Sequence, residues 1–285
     1  MPARLYLILA LALFSISTTS LVIRYLVAVP AVVMAFWRMF PASGMLWGYS
    51  ALQPAGRLSN KNRIHIILAG LFLGGHFACF FSGVRLTTIA NATLLGNVAP
   101  VFTILLERLH GGRAWNRATI LGLVLSLAGA VIIQGGGLTN PENAAGNGLA
   151  LLSSLFMALA WIQAKTIRKN THTVVYSRHL FLIAAGTILI VVFLAGYSPF
   201  DFERQHLPWF LFLGLVPSIL GHNLLNYAVR FISSTAVASV VLGEPILASF
   251  FGFILFQEAM PPASLIGGPM ILVGLYYILS SQFPD

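Results

Sequence analysis

Glu244 lies inside a long apolar run, directly before Pro245. An ionisable side chain at such a place is expensive unless it is paired or faces water. Proline removes a helix donor and frees the carbonyl one turn upstream. The carboxylate therefore has two readings: it binds an amine or carries a proton, or it holds an arginine or a neighbouring helix end. Asn97, shortly before Pro100, repeats the theme. It either contacts a ligand or satisfies a freed backbone group, and the second is the expectation. His222, Asn226 and Arg230 recur every four residues and share one helix face, with Asn223 and Tyr227 beside it. His76, with Phe80 four residues on, occupies a matching place in an earlier run. Ser154, Met157 or Ala158, Trp161 and Lys165 make a further stripe. Trp161 suits stacking on a substrate ring or covering a gate; being within a turn of its segment's end, it also suits an interfacial anchor. Ser15, Ser17, Thr18, Thr19 and Ser20 crowd the first run, where hydroxyls can simply bond the preceding turn. Arg38 and Arg178 could each attract a carboxylate, but the expectation is that they snorkel to headgroups, with His179 read the same way.

The chemistry this set suits is binding. Ser153, Ser154, His222 and Glu244 hold the residue types of a hydrolase, but no nucleophile-elbow pattern surrounds the serines and no His-Glu-x-x-His stretch exists. No Walker-type phosphate loop is present, so ATP is not expected to drive the protein directly. The single cysteine, Cys79, excludes an intrachain disulfide and a cysteine metal cluster. No metal and no cofactor are expected.

The elements that position these residues follow from composition. Of 285 residues, 58% are hydrophobic and 8% charged, against about a quarter charged in a soluble domain. Mean hydropathy is +0.88. A bilayer-spanning helix takes about 20 apolar residues, and ten apolar segments fit, at 5–27, 31–50, 64–86, 89–107, 117–135, 147–166, 175–197, 208–230, 234–255 and 263–281. Little remains for a soluble enzyme, an ectodomain or an ATPase module. The first segment is longer than a signal core and lacks a clear cleavage site, so it is expected to be retained. Very short links at 26–32, 86–90 and 230–234 predict tight hairpins. The net charge of +9 reads as topology rather than nucleic-acid binding. With ten spans both termini share a side, which carries eleven Lys and Arg (Arg4, Arg57, Lys61, Arg63, Arg108, Arg113, Arg117, Lys165, Arg168, Lys169, Arg230) against three opposite (Arg24, Arg85, Arg204). Both termini are therefore expected in the cytoplasm and the protein in the inner membrane. Glu142, Asp201, Glu203 and Glu258 on the other side fit this orientation.

The two halves resemble each other. A shift of 145 residues places Arg85 on Arg230, Pro100 on Pro245, Ala118 on Ala263, Gly122 on Gly267 and Gly129 on Gly274, without a gap. A shift of 146 sets Gly75-His76 on Gly221-His222, and one of 140 sets Arg38 on Arg178. Five spans per half is an odd number, so the second half enters the membrane inverted. The predicted fold is an all-α integral membrane protein of ten helices in two inverted repeats, 1–140 and 141–285. Inverted repeats place a substrate site near the midplane between the halves. The glycines of spans 5 and 10 predict close helix packing, as scaffold or dimer contact away from the substrate.

The stretch Leu242-Gly243-Glu244-Pro245 through Phe256-Gln257-Glu258, with Gly267 and Gly274, resembles the EamA-type domain of the drug/metabolite transporter superfamily. Asn97-Val98-Ala99-Pro100 through Gly122 and Gly129 resembles a first copy, and Trp37-Arg38 fits the same pattern. Within the superfamily the chain is similar to ten-helix bacterial exporters of the YddG type, which implies amino acid export with aromatic substrates. One departure is plain: the second copy has Glu258 thirteen residues after its proline, whereas the first has Arg113 there and its acid, Glu107, only seven residues after Pro100. A role for that Glu is not carried to the first half.

The expected function is a secondary carrier working by alternating access about hinges at Pro100 and Pro245, with a substrate site drawn from His76, Phe80, Asn97, Trp161, His222, Asn223, Asn226, Tyr227 and Glu244. The partners are a small molecule and the bilayer, not nucleic acid; monomer and homodimer both remain open. Coupling is open too, between proton exchange through Glu244 or a histidine and facilitated diffusion. An aromatic lining with a few amide, imidazole and carboxylate groups suits a zwitterion with an apolar side chain; it would also serve a nucleobase or a small drug. A nucleotide-sugar would need more basic residues at the midplane. A channel would show filter loops or charge rings, and neither is present.

Overall fold

A computed structural model describes residues 2–53, 55–109, 116–134, 138–257 and 262–283, apart from the side chains at 2, 20, 24, 252 and 256. These residues form thirteen α-helices: α1 (Pro2–Tyr25), α2 (Ala31–Leu52), α3 (Arg63–Leu86), α4 (Ile89–Gly96), α5 (Ala99–Leu109), α6 (Arg117–Gln134), α7 (Ala144–Ile167), α8 (Thr173–Leu194), α9 (Leu207–Leu213), α10 (Asn223–Ala228), α11 (Ser234–Val240), α12 (Glu244–Phe256) and α13 (Ala263–Ser280). They compose ten spans, since α4 with α5, α9 with α10, and α11 with α12 each make one broken rod. No strand occurs among the described residues. Hydrocarbon offers the backbone no partner, so every span must satisfy its own peptide groups as helix. Among the described residues, nine segments are long and apolar enough to cross a membrane. The tenth is α2, whose 22 residues extend about 33 Å; Arg38, Trp37 and Pro41 lower its apolarity.

Spans 4 and 9 break in the same register. Their first helices start at 89 and 234 and their second at 99 and 244, each pair 145 residues apart. The caps match as well. The Thr88 hydroxyl accepts from the Asn91 N–H and the Ser233 hydroxyl from the Ala236 N–H, both at 3.1 Å. Span 8 departs from its mate. Span 3 is uninterrupted α-helix, whereas Gly214–His222 is a π-helix between α9 and α10. Pro217 gives the reason: it cannot donate to the Leu213 carbonyl one turn back, and the Ser218 hydroxyl donates there instead at 2.9 Å.

Packing follows the repeat. Span 3 lies on span 6 as span 8 lies on span 1; span 2 packs on its own mate, span 7, and span 5 on span 10. Spans 5 and 10 meet through glycines, with a Cβ on Gly122 falling 2.4 Å from the Gly274 carbonyl oxygen and one on Gly129 falling 2.5 Å from that of Gly267. Large apolar side chains such as Leu7, Ile190 and Leu265 face outward, as a lipid-facing surface requires.

The bundle end that carries the termini is clamped. Glu107 at the end of α5 accepts from the Ser234 N–H at 2.7 Å and the Thr235 hydroxyl at 2.6 Å. Lys165 donates to the Val229 and Ile232 carbonyls at 2.9 and 2.6 Å. Replacing Glu107 by alanine leaves two donors at the start of α11 unserved, which costs about 1–2 kcal/mol. The melting temperature in detergent should fall by several degrees; an unchanged melting temperature would show the clamp to be incidental. Arg113 and Glu258, the other two positions of the family departure, lie outside the described residues.

Candidate functional site

The broken helices aim their gaps at the centre. Asn97 follows the end of α4 and Glu244 begins α12, so both sit at the breaks in their spans. The Asn97 amide donates to Glu244 Oε2 at 2.9 Å and to the Val241 carbonyl at 3.3 Å. Val241 is the residue whose helix bond Pro245 abolishes. The Glu244 N–H also reaches the Val241 carbonyl, so Asn97 is a second donor there, and through the carboxylate it ties the first half to the second. Pro100 likewise leaves Gly96 without its donor, and Gly96 lines the central cavity.

That cavity measures about 40 Å³. It takes walls from both halves: Ile16, Thr19, Arg38, His76, Phe77, Phe80, Gly96, Asn97 and Ala99 from the first, Met157, Trp161, His222, Val241 and Glu244 from the second. That is room for only a few water molecules. Two smaller voids, of about 10 Å³ each, extend the line. One shares Met157, Trp161 and His222 and runs past Tyr176 and Asn226 toward the end bearing the termini. The other shares Thr19, Phe80 and Glu244 and runs past Val84 and Ile89 toward the opposite end.

Aromatic rings frame the two imidazoles. His76 Nδ1 bonds the Ser153 carbonyl at 2.9 Å, and its ring stacks on Phe80 with centroids 6.0 Å apart. Phe77 meets His222 edge-on at 5.4 Å. Phe80 reaches the wall because Gly96 is bare: a Cβ there would lie 2.8 Å from the ring. The Arg38 guanidinium sits 4.5 Å over the Phe77 ring, with Nε on Ser218 at 3.3 Å and Nη1 on Thr19 at 3.1 Å.

A family model for the EamA-like transporter family matches residues 3–135 and 144–280. The chain belongs to that family. Its two matched segments are the two halves whose broken spans meet at the cavity. Among curated relatives, an uncharacterized transporter of Archaeoglobus fulgidus is 26% identical over 87% of this chain and 88% of its own length. The pseudopaline exporter CntI of Pseudomonas aeruginosa is 26% identical over 94% of this chain and 93% of its own. A solved structure at 18% identity superposes with a TM-score of 0.82 over the full length of both chains, which is a likeness of fold. The chain is therefore a multi-pass membrane transporter.

Of the residues singled out by sequence, His76, Phe80, Asn97, Trp161, His222 and Glu244 line the central cavity. Trp161 is 4% exposed and faces the cavity rather than the lipid interface. Asn226 lines the void on the terminal side and bonds the Ser177 hydroxyl at 3.1 Å. Asn223 is not among the residues of the central wall; its Oδ1 is buried without a hydrogen-bond partner. Tyr227 lies elsewhere. It lines a separate cavity of about 170 Å³ with Arg4, Phe231 and Phe283 and packs on Phe231, because one step beyond Asn226 the helix has turned away from the centre.

The residue for which the sequence favours the wrong reading is Arg38. It does not snorkel but is buried at 2% exposure in the cavity wall. Its place about 10 Å inside α2 was a signal, since an arginine that deep must find water or partners. Arg178 is buried as well, stacking 4.3 Å over Trp47 and donating to the Gly56 carbonyl at 3.3 Å. His179 stands beside the same Trp47.

Proposed function

We propose that this chain is a secondary exporter of amino acids, aromatic ones included, and of related small metabolites, working by alternating access. The observation that carries the reading is the narrow cavity between the halves, walled by a carboxylate, two imidazoles and aromatic rings and continued by voids toward both ends. Glu244 receives the substrate ammonium, Phe80 and Trp161 take its apolar side chain, and His76 and His222 supply polar contacts. Asn226 serves the path on the terminal side. Tyr227 is left out, on its placement in a different cavity. The breaks before Pro100 and Pro245 are the hinges, and the halves divide at 140/141. The termini lie in the cytoplasm of an inner membrane, on the basic-residue asymmetry. The partners are the small substrate and the bilayer.

The test is exchange of labelled L-phenylalanine in proteoliposomes. Saturable counterflow is expected. His76→Ala removes one polar contact to the substrate, worth about 1–1.5 kcal/mol, so its KM should rise by about tenfold. Flux that rises linearly with concentration would point to a channel. No exchange by folded protein would remove amino acids as the substrate.

A further inference from the structure

Arg38 keeps a charge where the membrane interior makes charge expensive, and its protein partners are neutral. Thr19 and Ser218 take Nη1 and Nε, and Phe77 lies under the plane. Nη2 is buried and has no hydrogen-bond partner. Glu244 stands in the same cavity, but its carboxylate is bonded by Asn97. A guanidinium kept only to hold two hydroxyls would be a poor solution, because a neutral amide can bond two hydroxyls without a buried charge. The two N–H groups of Nη2 are what the neutral alternatives lack. A guanidinium fork matches carboxylate and phosphate alike, so the choice between them falls to the other charge in the wall. The cavity also selects by charge. With one positive and one negative side chain in its wall, it is complementary to a zwitterion, and Glu244 disfavours a dianion such as phosphate.

We propose that Arg38 anchors the carboxylate of the transported molecule through Nη2, making a free carboxylate the feature that admits a substrate. This rests on the reading of the central cavity as the transport site. Thr19 of span 1 and Ser218 of the π-helix hold the guanidinium in place, so the anchor joins spans 1, 2 and 8 around the ligand.

The probes are L-phenylalanine, its methyl ester, phenethylamine and 3-phenylpropionate, on wild type, Arg38→Gln and Arg38→Lys. Each is measured by proteoliposome exchange and by calorimetric binding to detergent-solubilised protein of verified monodispersity. The wild type should favour phenylalanine over its ester by tenfold or more in KM. Arg38→Gln should erase that preference by raising the KM for phenylalanine while leaving the ester unchanged, and Arg38→Lys should fall between. If Arg38→Gln does not fold, the wild-type probe series and Arg38→Lys still decide. Equal handling of phenylalanine and ester by wild type, or an unchanged preference in Arg38→Lys and Arg38→Gln, would overturn the anchor while amino acid export stood. Failure to carry phenylalanine, together with Arg38-dependent binding of 3-phenylpropionate, would remove the amino acid reading and support the anchor. Binding of neither carboxylate would overturn both.

Discussion

Glu244→Gln should raise the KM for amino acid exchange by about 10- to 100-fold while leaving the protein folded. The substitution isolates charge from shape. Glutamine keeps an acceptor oxygen for Asn97, which reaches Oε2 at 2.9 Å, and Asn97 still covers the Val241 carbonyl. What disappears is the negative charge opposite a substrate ammonium. Hydrogen bonds to charged groups contribute about 1.5–3 kcal/mol, and each 1.4 kcal/mol is a factor of about ten. Arg38 also loses the negative group that faces it across the cavity. Glu244→Ala should do more, because it releases Asn97 as well and loosens the link between the halves. Exchange kinetics in liposomes, paired with melting in detergent, separate the two effects. A Glu244→Gln protein with wild-type KM would leave this carboxylate a structural role only.

The second large effect is expected at residues that do not line the cavity. Gly274→Ala should lower the melting temperature by about 5–10 °C, and Gly129→Val should prevent a monodisperse protein from being recovered. A Cβ on Gly274 would lie 2.2 Å from Ser126 Oγ and 2.4 Å from the Gly122 carbonyl oxygen; one on Gly129 would lie 2.5 Å from the Gly267 carbonyl oxygen. A hydroxyl can rotate away, but the opposing backbone cannot, so α6 and α13 must part along their length. Within lipid that contact has no solvent-driven substitute, since helix association there depends on close packing. Gly268→Ala is the control on the same helix: nothing lies within 4 Å of its Cβ position, and alanine favours helix. A Gly274→Ala protein as stable as Gly268→Ala would remove the glycine contact as a determinant of the fold. The same contact answers part of an open point in the sequence, where spans 5 and 10 suited either scaffold or dimer packing: within one chain they pack on each other.

Much of the architecture was legible in the residues themselves. The ten expected segments lie within three residues of the observed spans at every boundary, from α1 at Pro2–Tyr25 to α13 at Ala263–Ser280. The reason is that a lipid-embedded helix satisfies its own backbone, so apolar length is a local property that needs no neighbour to define it. The repeat was legible for a related reason. Pro100 and Pro245 break their helices wherever the rest of the chain lies, and Thr88 and Ser233 cap them by purely local bonds.

Tertiary structure decided what the polar residues face. Arg38 has the composition of a snorkelling arginine, and only the packing of span 2 against span 8 turns it inward to Ser218, with Thr19 of span 1 within reach. Tyr227 shares a polar helix with Asn226, yet the first points into a peripheral cavity and the second toward the centre. Nor was the π-helix of span 8 expected, although Pro217 is its local cause, because whether a proline kinks a helix or widens it depends on what can serve the freed carbonyl; here Ser218 does. Apolar length and prolines set the frame residue by residue. The direction of a side chain across a helix of 3.6 residues per turn is settled by which neighbour covers which face, and that information lies in the contacts between spans rather than in any one of them.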